Sequence, residues 1–357
     1  MRVWRSLGLF RSEERRSMVK AVRVHTVGGR HHVQVEEVEL PRPGCNEVEV
    51  RHTAIGLNYP DVEDCRGGLH ARHTVYTPGS SAVGVITELG TGVLNHQIGQ
   101  RVGYVNPPNK GAFSEASVVP ISCLVPLPSN ITDEEAAALL FPGFTAWMAL
   151  KKLFPLRRGD PIVVNNLATG LGSVIAQWAK HLKAVVIGIV SSEDDVEHAK
   201  KNGCNEVVVH RAEIGYGFAD EVRELTSGDG VAAVFDLVGK SSFTDALLCL
   251  APKGMYISLG ATAGDAPVLN FKDLAGRGSL VISVPVLADY VKNPAELLEG
   301  AQFLFELHKA GAIKMEIAKK FPLNMISKAL DAMAKGEVGS CILIPPIPDP
   351  KNVPHGS

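Results

Sequence analysis

Between residues 19 and 128, apolar and polar positions alternate in short runs, at 19–24, 32–38, 47–54, 84–89, 101–105 and 116–119, with Gly, Pro and Asn between them. A period of two broken by turn residues predicts short strands, and this many in succession predict a compact barrel or sandwich. The pattern changes after Ile131. Thr132, with Glu135 three residues on, reads as a capping box that opens a helix through Ala136, Ala137 and Ala138. Apolar runs of strand length then alternate with helical patterns. Strands are predicted at 162–164, 184–190, 206–209, 232–235 and 254–259, and helices at 173–183, 194–202, 218–226 and 242–250. Alternating βαβ units predict a parallel sheet with helices on both faces. A strand at 278–284 closes that sheet. Helices at 294–310 and 325–335 and a strand at 340–344 follow. The expected fold class is therefore α/β, a β-barrel-type domain followed by a doubly wound parallel-sheet domain. The expected division is 18–140 with 286–345 for the first domain and 141–285 for the second. Residues 1–17 are expected to be a presequence or disordered extension, and 346–357 a flexible tail.

The turn between the first strand and helix of the parallel domain carries candidate chemistry. Pro161-Ile162-Val163-Val164 leads into Asn165-Asn166-Leu167-Ala168-Thr169-Gly170-Leu171-Gly172 and then into the helix beginning Ser173-Val174-Ile175-Ala176. A strand, a tight glycine turn and a helix start bring backbone N–H groups and a positive dipole end to a pyrophosphate. Thr169 stands where a third small residue is expected. A β-branched residue is accommodated there only if its φ is negative.

Composition narrows the function class. With 357 residues, 45% hydrophobic and 21% charged, the chain has the make-up of a globular protein of two domains. A formal net charge of −2 leaves no basic footprint for nucleic acid. The longest apolar runs are strand-sized, well short of the ~20 residues that cross a bilayer. Six scattered cysteines (Cys45, Cys65, Cys123, Cys204, Cys249, Cys341) without a CxxC pair point to reduced thiols in a cytoplasmic setting. The arginines Arg2, Arg5, Arg11, Arg15 and Arg16 keep a mitochondrial presequence open as the alternative.

Taken together, these motifs resemble the medium-chain dehydrogenase/reductase superfamily and, within it, the zinc-independent quinone oxidoreductase (zeta-crystallin-like) group. Ala54-Ile55-Gly56-Leu57-Asn58-Tyr59-Pro60-Asp61 looks like its A-x-G-x-N-x-x-D segment, and Gly99-Gln100-Arg101-Val102 its G-D-R-V turn. Gly111-Ala112-Phe113-Ser114-Glu115, Phe141-Pro142-Gly143-Phe144-Thr145-Ala146, Asp236-Leu237-Val238-Gly239 and Gly339-Ser340 resemble further signatures in the expected order. The resemblance spans residues 19–345. It implies a GroES-like first domain, a Rossmann second domain and an interdomain cleft.

The resemblance also implies chemistry. Zinc-dependent members carry Cys where this chain has Asn58, and G-H-E where it has Gly79-Ser80-Ser81, so no metal is expected. The spacing Cys65-x4-His70-x2-His73 is read as solvated loop residues. The implied cofactor is NADPH, with NADH as the alternative, and the implied acceptor is a quinone or an α,β-unsaturated carbonyl. Asn58, Tyr59 and Thr145 would line the nicotinamide end as catalytic residues, with Asn58 donating to the acceptor carbonyl. Ala168, Thr169, Gly170, Leu171 and Gly172 would hold the pyrophosphate. Ser191, Ser192, His210 and Arg211 would border the 2′-phosphate, although Asp195 stands where NADPH-using relatives have Lys. Val238, Gly260 and the 283–285 segment would wrap the nicotinamide, and Lys335 would reach toward the cofactor or simply end a solvated helix. Related enoyl reductases place a Tyr proton donor where this chain reads Gly67-Gly68-Leu69-His70. A homodimer through residues 278–284 is implied. The alternatives are an enoyl-thioester or alkenal reductase of the same fold, or a non-catalytic nucleotide-binding scaffold.

Overall fold

A computed structural model describes residues 17–27, 30–67, 75–210, 217–335 and 339–346. The N-terminal segment read as a presequence or extension lies, but for Ser17, outside the described residues, as does all but the first residue of the expected tail. Strands β1 (Met18–Val27) and β2 (Arg30–Glu39) form an antiparallel pair. β3 (Glu47–Leu57) is the long central strand of the first sheet. Helix α1 (Tyr59–Arg66) leaves its end and is followed by β4 (Ser81–Leu89), β5 (Arg101–Val105), β6 (Ala116–Pro120) and β7 (Leu124–Pro126). Helix α2 (Asp133–Trp147) then crosses to the second sheet.

The second sheet is built from β8 (Pro161–Asn165), β9 (Val185–Val190), β10 (Glu206–Val209), β11 (Val231–Asp236), β12 (Leu250–Ser258) and β13 (Val281–Ser283). Between them run α3 (Gly170–His181), α4 (Val196–Lys201), α5 (Ala219–Leu225), α6 (Phe243–Leu248) and α7 (Phe271–Gly276). The spatial order is β10-β9-β8-β11-β12-β13, and every pair is parallel. Chain direction across the sheet reverses at β8 and β11, which makes the crevice at their carboxyl ends the place for a ligand.

The chain then forms α8 (Leu287–Val291), α9 (Pro294–Lys309), β14 (Ile317–Pro322), α10 (Ile326–Ala334) and β15 (Ser340–Ile344). β15 returns to pair antiparallel with β3, Ile342 opposite Gly56, and β14 lies parallel beside it. The first sheet thus runs β14-β15-β3-β4-β5-β7, with β6 also on β3.

Helix α2 joins the two layers. The capping box holds: Glu135 N–H donates to Thr132 Oγ1 (3.2 Å), and Thr132 N–H donates to Glu135 Oε2 (3.0 Å). Arg101 clamps the same turn, donating from Nε to Asp133 Oδ1 (2.9 Å) and from Nη2 to the Ile131 carbonyl (2.8 Å). Leu139, Leu140, Phe144 and Trp147 are fully buried in one core that includes Val83 and Val105 of the first sheet and Ile162 and Val164 of the second. Burying such side chains contributes ~2 kcal/mol each, so the layers share a core.

Four local features depart from the sequence pattern. Residues 59–66, for which the pattern predicted no element, form α1, with Pro60 in the first turn and Gly67 (φ 88°) ending it. Pro is favoured there because the first-turn N–H groups have no intrahelical partner, and Gly takes positive φ at no steric penalty. Helix α3 begins at Gly170 rather than Ser173, so the glycines are its first turn. The strand expected at 278–284 shortens to Val281–Ser283 because Gly278 (φ 94°) and Ser279 (φ 61°) are left-handed. β14, α7, α8 and β7 were not predicted. β14 reads Ile-Ala-Lys-Lys-Phe-Pro, a polar edge strand without a clean alternation.

Candidate active site

Thr169 is the N-cap of α3, with φ −75° and ψ 159°. Its hydroxyl accepts from Gly172 N–H (3.0 Å) and donates to the Asn166 carbonyl (3.1 Å). The residue that looked like a flaw in the turn is an unstrained cap, and Thr is a favoured one. Ala168 N–H donates to Asn166 Oδ1 (2.9 Å) and so rounds off the turn. A Cβ on Gly172 would collide with the Asn166 carbonyl and lie 2.8 Å from Leu167 Cα. That glycine lets the helix sit against the strand. A Cβ on Gly170 would collide with the Ser340 hydroxyl. Helix geometry leaves the N–H groups of Gly170 and Leu171 without intrahelical partners at the open end of the turn. The turn is braced from the first sheet, since Gly339 N–H donates to the Ala168 carbonyl (2.9 Å) and Gly339 bridges Thr169.

The loops that follow β11 and β12 close over each other beside this turn. Ala263 N–H donates to the Val238 carbonyl (2.9 Å) and Lys240 N–H to the Gly264 carbonyl (2.9 Å). A Cβ on Gly260 would lie 2.9 Å from the Leu237 carbonyl oxygen, so the loops meet only because that position is glycine. Beneath them Asp236 is fully buried. It accepts from Asn165 Nδ2 (2.7 Å), Tyr256 Oη (2.6 Å), Ser242 Oγ (2.9 Å) and the N–H groups of Val238 (3.2 Å) and Gly239 (3.1 Å). Burial raises its pKa against those hydrogen bonds. The D-x-V-G motif therefore ties β8, β11, β12 and the start of α6 together.

Across from these loops stand Asn58 and Tyr59, where β3 gives way to α1. Tyr59 Oη donates to the Ala261 carbonyl (3.4 Å), a long hydrogen bond between α1 and the loop after β12. Desolvation, reinforced by Glu63, raises the Tyr59 pKa and keeps the phenol protonated. Asn58 Nδ2 donates to Asp61 Oδ2 (3.2 Å) and Ser81 Oγ (3.2 Å), so both amide hydrogens are engaged within the protein. Thr145 is 5% exposed on α2 and donates its hydroxyl to the Phe141 carbonyl (2.9 Å).

The other expected residues lie farther along the second sheet. Ser191 is exposed at the end of β9, and Ser192 Oγ accepts from Asp194 N–H (3.2 Å). Glu193–Asp195 form a short 3-10 turn capped by that serine, so the acids open a helical segment, where their charge is favoured. His210 follows β10, its N–H donating to the Val190 carbonyl at the end of β9 (2.8 Å), and its ring packs edge-on to buried Phe218 at 5.2 Å. Arg211 lies outside the described residues, as do His70 and His73. Lys335 is exposed at the end of α10, and its N–H closes that helix onto the Asp331 carbonyl (3.2 Å).

The donor set at Asn58, Ser80 and Ser81 does not suit a metal. Asn58 spends its amide hydrogens as above, and the Ser80 hydroxyl donates to Asp61 Oδ1 (2.5 Å). Cys65 is buried, and burial pushes its thiol up to about 12, far from the thiolate a metal binds. Among the described residues no group of three His, Cys, Asp or Glu side chains could hold a metal ion.

Residues 44–129 match the alcohol dehydrogenase GroES-like domain family, and residues 170–299 match the family described as zinc-binding dehydrogenase. A 2-haloacrylate reductase of a Burkholderia species is 36% identical over 335 residues, covering 92% of this chain and 99% of the relative. The solved quinone oxidoreductase of Pseudomonas syringae pv. Tomato superposes with a TM-score of 0.88 at 33% identity, covering 92% of this chain and 100% of that one. The Escherichia coli quinone oxidoreductase, solved in complex with NADPH, gives a TM-score of 0.86 at 30% identity over 91% of this chain and 100% of that one.

Proposed function

The chain belongs to the zinc-independent quinone oxidoreductase group of the medium-chain dehydrogenase/reductase superfamily, and from that premise we propose an NAD(P)H-dependent reductase of quinones and α,β-unsaturated carbonyls. The observation that carries this reading is the Thr169-capped glycine turn, set at the switch point of the parallel sheet and opposite Asn58 and Tyr59. When bound, NADPH supplies a hydride for an electron-poor carbon or oxygen of the acceptor. The turn fits such a cofactor, because its glycines keep side chains out of the bend and the first-turn amides of Gly170 and Leu171 are free to accept an anion. Val238, Gly260 and Thr145 line the nicotinamide end. Asn58, with both amide hydrogens spent, serves as an acceptor through Oδ1, which revises the donor role expected from its motif. Polarisation of the acceptor carbonyl falls to Tyr59, whose protonated hydroxyl has only a long bond to Ala261 to give up.

At the other end of the site, Ser191 and Ser192 face the 2′ position, Arg211 is assigned there on its motif position alone, and the acids at 193–195 weaken discrimination in favour of NADPH. Lys335 is assigned to the cofactor on its motif position alone. The domain division at 140/141 and 285/286 stands as part of the same reading. The edge strand β13, with Val281 44% exposed and Val284 just beyond its end 72% exposed, is the surface through which a second copy would extend the sheet. No helix among the described residues is long and apolar enough to cross a membrane.

The test is direct. NADPH and NADH are titrated against tryptophan fluorescence, with Trp178 on α3 as reporter, and turnover is followed with 1,4-benzoquinone, 3-buten-2-one and crotonyl-CoA. Submicromolar to micromolar NADPH binding with turnover of the first two supports the reading. Turnover of the enoyl thioester alone would replace it with the thioester reductase, and no nucleotide binding below millimolar concentration would leave a scaffold.

A further inference from the structure

Beneath the first turn of α1 lies a carboxylate with no part in the chemistry above. Asp61 is completely buried. Its Oδ2 accepts from the Asn58 backbone N–H (3.0 Å) and from Asn58 Nδ2 (3.2 Å), and its Oδ1 accepts from Ser80 Oγ (2.5 Å). Burying a charge is expensive unless donors surround it, and three donors converge here. Burial still pushes the carboxyl up to about 6, against the opposing effects of Ser80, Lys110 and Asn58. Helix α1 packs on β2, on α10 and beside the 106–111 loop. Among the charged groups of these elements, Lys110 and Asp64 act on Asp61, and Lys110 is itself ion-paired to Asp64.

We propose that Asp61 is a positioning residue that sets which end of the Asn58 amide meets the ligand. An ionised carboxylate only accepts hydrogen bonds, so the amide must show it an N–H. The Ser81 hydroxyl takes the second N–H. Oδ1 is turned to the first turn of α1, where Asn58 and Asp61 form a capping box, and its remaining lone pair is the acceptor left for a ligand group that donates, such as a ribose hydroxyl or a carboxamide N–H of the cofactor. A protonated Asp61 has an O–H to give, accepts less strongly, and no longer enforces that orientation. Asp61 thus acts through Asn58 and transfers no proton to the acceptor. The inference rests on the cofactor reading, since Asn58 has a ligand to meet only if a nucleotide binds.

The experiment uses the full chain, Asp61→Asn and Ser80→Ala, with NADPH and 1,4-benzoquinone from about pH 5 to 8, and NADPH affinity read in parallel from tryptophan fluorescence. In the unaltered chain, kcat/KM for NADPH is expected to fall as pH drops through the Asp61 ionisation, on the order of tenfold per unit once below it. Asp61→Asn should lose about tenfold or more in kcat/KM at neutral pH, mostly in KM, and should flatten that acid limb. Ser80→Ala removes one stabilising donor from the charged form, so its acid limb should move to higher pH. That variant keeps the question answerable if Asp61→Asn does not fold. An active chain whose acid limb is unmoved in Ser80→Ala, or is retained in Asp61→Asn, would overturn the positioning role alone. A chain that binds no NADPH would overturn the functional reading and this inference with it.

Discussion

The two ends of the site are built differently. At the proposed nicotinamide end, Asn58, Asp61, Ser80 and Ser81 form a connected set of hydrogen bonds, with Asp61 and Ser81 fully buried and Ser80 1% exposed. At the far end, Ser191 is exposed, and the acids sit in a short solvated turn held by one serine cap. A buried network is costly to alter, because each lost partner strands another polar group. A solvated turn tolerates substitution, because water replaces what is lost. On the proposed reading, the orientation of the acceptor is built into the packing, and the choice between NADPH and NADH is left to charge near the surface. The glycine turn joins the two and is braced by both sheets.

Breaking that junction should have the largest effect. Gly172→Ala puts a methyl group against the Asn166 carbonyl. NADPH affinity, measured by tryptophan fluorescence, should fall at least about a hundredfold, ~3 kcal/mol. Retained affinity would show that the turn does not hold the cofactor.

Stability against pH sharpens the contrast between a buried group beside the site and one away from it. His52 is buried in the first sheet, with Nδ1 2.7 Å from the Ser114 carbonyl and Nε2 2.8 Å from Tyr104 Oη. Burial lowers its pKa from 6.5 to about 4. The unfolded chain then binds more protons, so stability is lost as pH falls from 6.5 toward 4, by roughly 3 kcal/mol. Asp61 has the opposite sign. Its pKa is raised from 3.8 to about 6, so its contribution is full below 3.8 and is lost as pH rises through 6, again by roughly 3 kcal/mol. The two offset each other across the shared window. Urea unfolding at several pH values should therefore show a steeper acid loss in Asp61→Asn and a shallower one in His52→Gln. Identical slopes in all three proteins would mean that neither group titrates as placed.

Tyr59→Phe tests the near end chemically. Removing the hydroxyl should lower kcat for 3-buten-2-one by about tenfold to a hundredfold, with a smaller loss for 1,4-benzoquinone, whose protons can come from water. Equal rates for the enone would remove Tyr59 from the chemistry.

The smallest effect is expected at the far end. Asp195→Lys should raise the NADPH-to-NADH preference by about fivefold, ~1 kcal/mol for a half-buried charge near the surface, and less at high salt. An unchanged ratio would place Asp195 away from the 2′ position.

What the sequence displayed also divides along this line. The alternation of strand and helix patterns, the Thr132–Glu135 capping box and the glycine turn are local signals, and each appears in the structure, with boundaries that shift by a few residues, as where β12 begins at Leu250 inside the expected helix 242–250. Helix α1 was not predicted because its eight residues show no clear apolar period, although Asn58, Pro60 and Gly67 carry its start and stop signals. Thr169 could be judged only once its φ was known. The use of Asn58 depended on Ser81, which arrives from another strand, and the weight of Asp61 depended on its burial. Contacts between distant segments, such as Gly339 with Ala168, leave no mark in a single sequence.

The central claim is hydride transfer from NADPH to an unsaturated acceptor without a metal. Its most direct test is turnover of 3-buten-2-one with NADPH deuterated at nicotinamide C4, using enzyme dialysed against a chelator. The account predicts that NADPH is consumed at the same rate before and after dialysis and that mass spectrometry finds deuterium on the β-carbon of the reduced ketone. Absence of label in the product, or activity that returns only when zinc is added, would contradict it.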